Sequence, residues 1–194
     1  MIDLRDNHQY SYSTYNTGGP MKMWMTQNLN YGTVINSSTP QTDNCIAEKY
    51  CPPSDLTCAG GGYYQWDELM SFQGNSGDQD LCPPGWHVPS DAEWQALIDN
   101  FDPAFPGAIA NAIIGDEMKD QAKTFKAKLE GINYMNSNPA WSFTTTPAAT
   151  MFWTSTPDAN GKIIARGLNS PYNISISKYA SSAANAFSVR CVRE

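Results

Sequence analysis

Few side chains in this sequence are placed for covalent chemistry: two histidines, His8 and His87, and five cysteines, Cys45, Cys51, Cys58, Cys82 and Cys191. Zinc asks for ligands at short, paired spacing. The cysteines stand six, seven, 24 and 109 residues apart, no C-x-x-C pair occurs, and both histidines are far in sequence from the first three cysteines. The count instead fits two disulfides, with one thiol left over, in an exported domain. Nucleophilic or acid–base catalysis would need a histidine beside Ser or Cys and an acidic partner, and neither histidine stands in such an arrangement. Asp67 and Glu68 are adjacent, diverge on a helix, and read as a solvated helix face. No catalytic residue, metal ligand or cofactor is assigned.

Noncovalent recognition is better supplied. Between Arg166 and Asn185 the chain carries Asn169, Tyr172, Asn173, Ser175, Ser177, Lys178, Tyr179, Ser181 and Ser182. Tyrosine brings contact area at small entropic cost, while Asn and Ser adapt their hydrogen bonds to a partner, the chemistry antibody paratopes use. The plain alternative is a surface loop and edge strand whose Ser and Asn merely solvate the backbone. Charge marks the same region as different in kind. Residues 1–158 hold 7 basic and 18 acidic side chains, a balance of −11, whereas residues 159–194 hold 5 basic and one acidic, a balance of +4.

Whatever presents that segment must come from a chain of 194 residues, 41% hydrophobic and 12% aromatic, long enough for one core of ordinary size. One domain spanning residues 1–194 is expected, and it should be a monomer. Six Trp, ten Tyr and seven Phe argue against disorder, and no apolar run approaches the roughly 20 residues that cross a bilayer. The net charge of −7 gives no clustered Lys and Arg for a phosphate backbone, so nucleic acid is excluded as a partner.

Alternation of polar and aromatic residues over Gln9–Tyr15 predicts a half-buried strand, and Met21, Met23 and Met25 alternating with Lys22 and Trp24 predict a second. The turn at Gly18-Gly19-Pro20 joins them into a hairpin. Polar loop follows from Asn28 to Cys58. Tyr63, Trp66 and Met70 share one helical face, which predicts a short helix. Ser90-Asp91-Ala92-Glu93 is a capping box. Trp94, Leu97, Ile98 and Phe101 then fall at i, i+3, i+4 and i+7, so a helix runs from there to a stop at Asp102-Pro103. One or two short helices are expected between Gly107 and Gly131. From Ile132 to Glu194 short apolar pieces such as Phe152-Trp153-Thr154, Ile163-Ile164-Ala165 and Phe187–Val192 predict strands and loops. Strands at both ends with helices between them indicate an α+β fold whose terminal strands share a sheet.

Five segments carry a family resemblance: Asp3-Leu4-Arg5-Asp6, Trp24–Tyr31, Cys82-Pro83-Pro84-Gly85-Trp86-His87-Val88-Pro89-Ser90-Asp91-Ala92-Glu93-Trp94, Phe152-Trp153-Thr154-Ser155-Thr156 and Phe187–Arg193. In this order they resemble the Fibrobacter-type major paralogous domain over nearly the whole chain. That family is similar to the formylglycine-generating-enzyme branch of the C-type lectin fold, which implies a lectin-like α+β domain with few short helices and long irregular loops. The resemblance implies a long-range bridge between Cys82 and Cys191 and a local one between Cys51 and Cys58, and leaves Cys45 as the odd thiol. It makes His87 a structural residue near the Cys82 bridge.

Formylglycine-generating relatives use two active-site cysteines and copper, and the strand-rich region 132–190 here has no cysteine, so the resemblance does not extend to that activity. A sugar-binding calcium site of the lectin kind is also disfavoured, because only Asp158 and Glu194 follow Glu130 among acidic residues. The Tyr/Asn/Ser run just upstream of the terminal strand resembles the variable segment of diversity-generating-retroelement proteins, lectin-fold proteins diversified near their C-termini at adenines. The expectation is therefore a non-enzymatic domain that binds a protein or glycan through residues 166–185. Its alternatives are an adhesive or structural surface module, or a degenerate relative of the formylglycine-generating enzymes. The opening Met1-Ile2-Asp3 does not read as an export leader, so an extracellular or cell-surface location rests on the cysteines and the resemblance.

Overall fold

The computed structural model describes residues 1–52, 55–73, 79–101, 114–129, 132–135, 141–144, 149–169 and 176–194. Its elements, in chain order, are β1 (Tyr12–Asn16), β2 (Met21–Met25), β3 (Thr33–Val34), β4 (Glu48–Lys49), β5 (Tyr64–Gln65), α1 (Trp66–Leu69), α2 (Asp91–Phe101) and α3 (Ile114–Lys119). There follow β6 (Ile132–Met135), β7 (Trp141–Thr144), β8 (Ala149–Pro157), β9 (Ile163–Asn169), β10 (Ile176–Ser181), β11 (Ala186–Phe187) and β12 (Val192–Arg193). The fold is mixed α and β, mostly strand with a few short helices.

The terminal strands do share a sheet, in the order β1-β2-β12. Asn16 pairs with Met21 across the predicted hairpin, and Val192 pairs with Trp24 on the other side of β2. The second sheet is β10-β9-β8, the third β5-β11-β6-β7, and β3 and β4 form a short parallel pair inside the expected polar loop. No helix among the described residues is long and apolar enough to cross a membrane.

Helix α2 starts where its capping box says it should. The Ser90 amide donates to Glu93 Oε2 at 2.8 Å, and the Glu93 amide donates to Ser90 Oγ at 3.2 Å, so two orphan donors of the first turn are satisfied reciprocally. Its apolar stripe then packs inward. Trp94 lies against Trp24 at a ring separation of 5.0 Å and against Phe152 at 5.3 Å, which joins the first sheet, the helix and the second sheet in one aromatic core. A second cluster gathers around Trp153 and Phe187, 4.4 Å apart. There the buried indole N–H groups find backbone acceptors, Trp153 Nε1 donating to the Tyr64 carbonyl and Trp66 Nε1 to that of Thr154.

Three expectations are corrected. The helix expected around Tyr63–Met70 is confined to Trp66–Leu69, because Tyr64 and Gln65 are taken up by pairing with β11. Glu68 is not on a solvated face. It is 3% exposed, and its Oε1 accepts the Glu48 amide at 2.9 Å, while Asp67 is exposed. The first strand begins at Tyr12 rather than at Gln9, since Tyr10 is drawn into the core and its hydroxyl accepts the Asn30 amide. Helix α3 falls within 107–131 as expected, and the stop at Asp102-Pro103 lies outside the described residues.

Candidate binding face

The register of the second sheet decides which residues can meet a partner. Strand β9 lies between β8 and β10, so Phe152, Arg166 and Lys178 line up across the three strands, as do Trp153, Ala165 and Tyr179 on the opposite face. The first of these rows is aimed at the N-terminus of α2. Arg166 is 2% exposed, its Nε donates to Asp91 Oδ1 at 2.6 Å, and a second guanidinium nitrogen reaches Gln95 Oε1 at 3.3 Å. Lys178 donates to Asp91 Oδ2 at 2.7 Å from an exposed position. Asp91 itself is fixed by its amide, which donates to Thr156 Oγ1. One carboxylate at a helix start, where negative charge is favoured, thus serves two cations from neighbouring strands.

On the other face, Tyr179 lies over Gly167. A side chain at position 167 would place its Cβ 2.6 Å from Met151 Sδ and 2.8 Å from Tyr179 Cε2, so only glycine lets the ring settle there. Tyr179 remains 39% exposed, at the rim of the sheet on its edge strand. Ser177 is half-buried beside it, and Ser182 is exposed just past the strand end.

Several residues of the expected site do other work. Arg166 is a buried anchor and cannot be a ligand contact, because the middle strand turns it toward the helix. Ser181 is buried, and its Oγ accepts from Asn185 Nδ2 at 2.8 Å. That bond closes the turn 182–185. The turn is held from below by the Trp66 amide, which donates to the Ala183 carbonyl, and by Gln65 Nε2, which donates to the Ala184 carbonyl. Asn169 occupies β9 opposite Ala149. Tyr172, Asn173 and Ser175 lie outside the described residues. On the edge strand Ser177 and Tyr179 share one face, Lys178 points to the other and meets Asp91, and Ser182 is exposed just past the strand end. Asp91 and Gln95 had gone unassigned, and their only sequence signal was a capping box announcing a helix start.

His87 Nε2 lies 2.9 Å from Glu93 Oε1, and its backbone bridges Val192. Its pKa is raised by the hydrogen bond to Glu93, with burial working the other way. Burial pulls Glu93 upward, but the bonds from His87, the Ser90 amide and Lys22 bring it down to about 2. Ser90 Oγ bonds the other Glu93 oxygen, so the carboxylate stands between hydroxyl and imidazole, the wrong order for a nucleophile and its base. No group of three or more His, Cys, Asp or Glu among the described residues could hold a metal ion. Cys82–Cys191 and Cys51–Cys58 are disulfides, and Cys45 is a free, exposed thiol.

Compared with known families, residues 20–193 match the model described as the Fibrobacter succinogenes major domain. No curated protein and no solved structure matches the chain.

Proposed function

The chain belongs to the Fibrobacter succinogenes major domain family, and from that premise we propose that it is a monomeric, non-enzymatic recognition domain of lectin-like fold. It acts outside the cell and binds a protein or glycan through the edge strand β10 and the turn that follows. The observation that carries this reading is the exposed edge strand β10, with Tyr179 on one face and Ser182 just past its end, while its other face is pinned by Lys178 and the buried Arg166 to Asp91. The anchor fixes the backbone while the rim residues contribute little to the core, which is the division of labour a changeable surface requires. Two disulfides agree with an oxidising compartment.

Diversification of this rim follows from the same reading. Sequencing the DNA around the gene should find a near-duplicate of the 3′ coding segment beside a reverse transcriptase, differing at adenines, and absence of such a template removes that part. At the protein level, Tyr179→Ala should weaken capture on protein and glycan arrays while shifting the melting temperature by no more than about 2 °C, as for a surface change. Loss of the fold on that substitution would reassign the ring to the core.

A further inference from the structure

A cavity of about 490 Å³ opens between the N-terminal segment, the stretch after β2, the loop closed by Cys51–Cys58 and the segment after α3. That volume is in the range of small-molecule sites. We propose that it binds a small hydroxylated carboxylate of the sugar-acid class, at a site separate from the β10 rim.

Charge is the first argument. The chain has 19 acidic and 12 basic residues, yet His8, Lys126, Lys128 and Arg190 line the cavity, and no Asp or Glu is among its described lining residues. Against the composition of the molecule, the cavity concentrates one sign, which draws an anion.

Its construction is the second. The floor is Asn28 and Arg190, 6% and 2% exposed. Arg190 Nε donates to Asn28 Oδ1 at 3.0 Å, and Asn28 Nδ2 donates to the Gly60 carbonyl at 2.9 Å, so floor and loop are one network. The two terminal guanidinium nitrogens donate to the carbonyls of Phe125 and Lys126, which holds the lysine-bearing segment against the floor. Lys126 and Lys128 are exposed on either side of buried Ala127. Gly61 has φ +100°, and a Cβ there would stand 2.4 Å from that of Asn28, so the wall meets the floor at a contact no larger residue permits. Both disulfides end one residue from this frame: Cys58 precedes Ala59, and Cys191 follows Arg190. Such a site is set before its ligand arrives.

The remaining lining sets the ligand class. Gln27 and Asn30 bring amide N–H groups, and Ser11 and Thr26 bring hydroxyls, groups that pair with sugar hydroxyls, while Thr57 Oγ1 donates to Asp55 and Gln121 Nε2 to the Lys119 and Ala127 carbonyls. Among the described residues the His8 imidazole is the one ring and Ala59 the one apolar side chain on the lining, so polar groups set its selectivity. The lysines serve the carboxylate as point charges.

The test is an NMR titration of the oxidised full chain with glucuronate, glucose and inorganic phosphate in parallel. Glucuronate should shift the Gln27 and Asn30 side-chain amides and the Gly60 and Gly61 backbone amides in a saturable way. Glucose and phosphate should bind at least about tenfold more weakly, and the double variant Lys126→Ala/Lys128→Ala should lose about tenfold with an unchanged melting temperature. Tyr179→Ala should bind glucuronate like the parent, which keeps this site's fate distinct from that of the rim. The proposal is overturned if glucuronate does not saturate, if its shifts map elsewhere, if glucose or phosphate binds as tightly, or if the double variant binds unchanged.

Discussion

Asp91 holds two cations of unequal standing. Arg166 is buried and Lys178 is exposed, so the same carboxylate makes one bond in a low-dielectric setting and one at the water boundary. Removing one partner of a buried pair leaves the other unmatched. Asp91→Ala, which strands the buried Arg166 guanidinium, should therefore cost about 3 kcal/mol in urea denaturation, against less than about 1 kcal/mol for Lys178→Ala, which leaves the Arg166–Asp91 pair intact. Glu68 shows the opposite situation, a carboxylate whose ionised form the fold disfavours. Burial, with the nearby Glu48 and Asp43 charges, raises its pKa to about 7, and its Oε2 has no hydrogen-bond partner among the described residues. Its ordinary value is 4.5, so the folded form holds the proton more tightly than the unfolded chain does. Stability from this group is full below pH 4.5 and falls as pH rises to about 7. Glu68→Gln should flatten that decline, seen as a smaller difference between urea midpoints at pH 5 and pH 8.

Elements built on local signals were the legible ones. Helix α2 announced itself through a capping box and an apolar stripe within twelve residues, and Ser90→Ala should cost about 1 kcal/mol in thermal denaturation. The hairpin β1–β2 was legible for the same reason, a turn between two alternating stretches. Two-residue strands such as β5, β11 and β12 carry no such pattern, because a strand that short is fixed by whatever lies beside it. Tyr64 and Gln65 thus left a helical spacing to join β11, and Glu68 went from solvated face to buried acid with them. The site divided along the same line. Residue types identified the Tyr/Asn/Ser segment, but which of its members face outward depends on Asp91, 75 residues from Arg166 and 87 from Lys178, and no spacing within the segment reports that.

At the level of the whole molecule the two disulfides differ in reach. Cys82–Cys191 spans 109 residues and Cys51–Cys58 spans seven. Chain entropy assigns about 4.8 kcal/mol to the long loop and about 2.5 kcal/mol to the short one. Cys82→Ser/Cys191→Ser should accordingly lower the melting temperature more than Cys51→Ser/Cys58→Ser does, measured without reductant. The long link sits beside β12, which pairs with β2 from the far end of the chain. A growing polypeptide cannot complete the first sheet until residue 192 is available, whatever the state of the rest. The hairpin β1–β2 therefore waits for its third strand through most of synthesis, and the Cys82–Cys191 link and the first sheet close together, late.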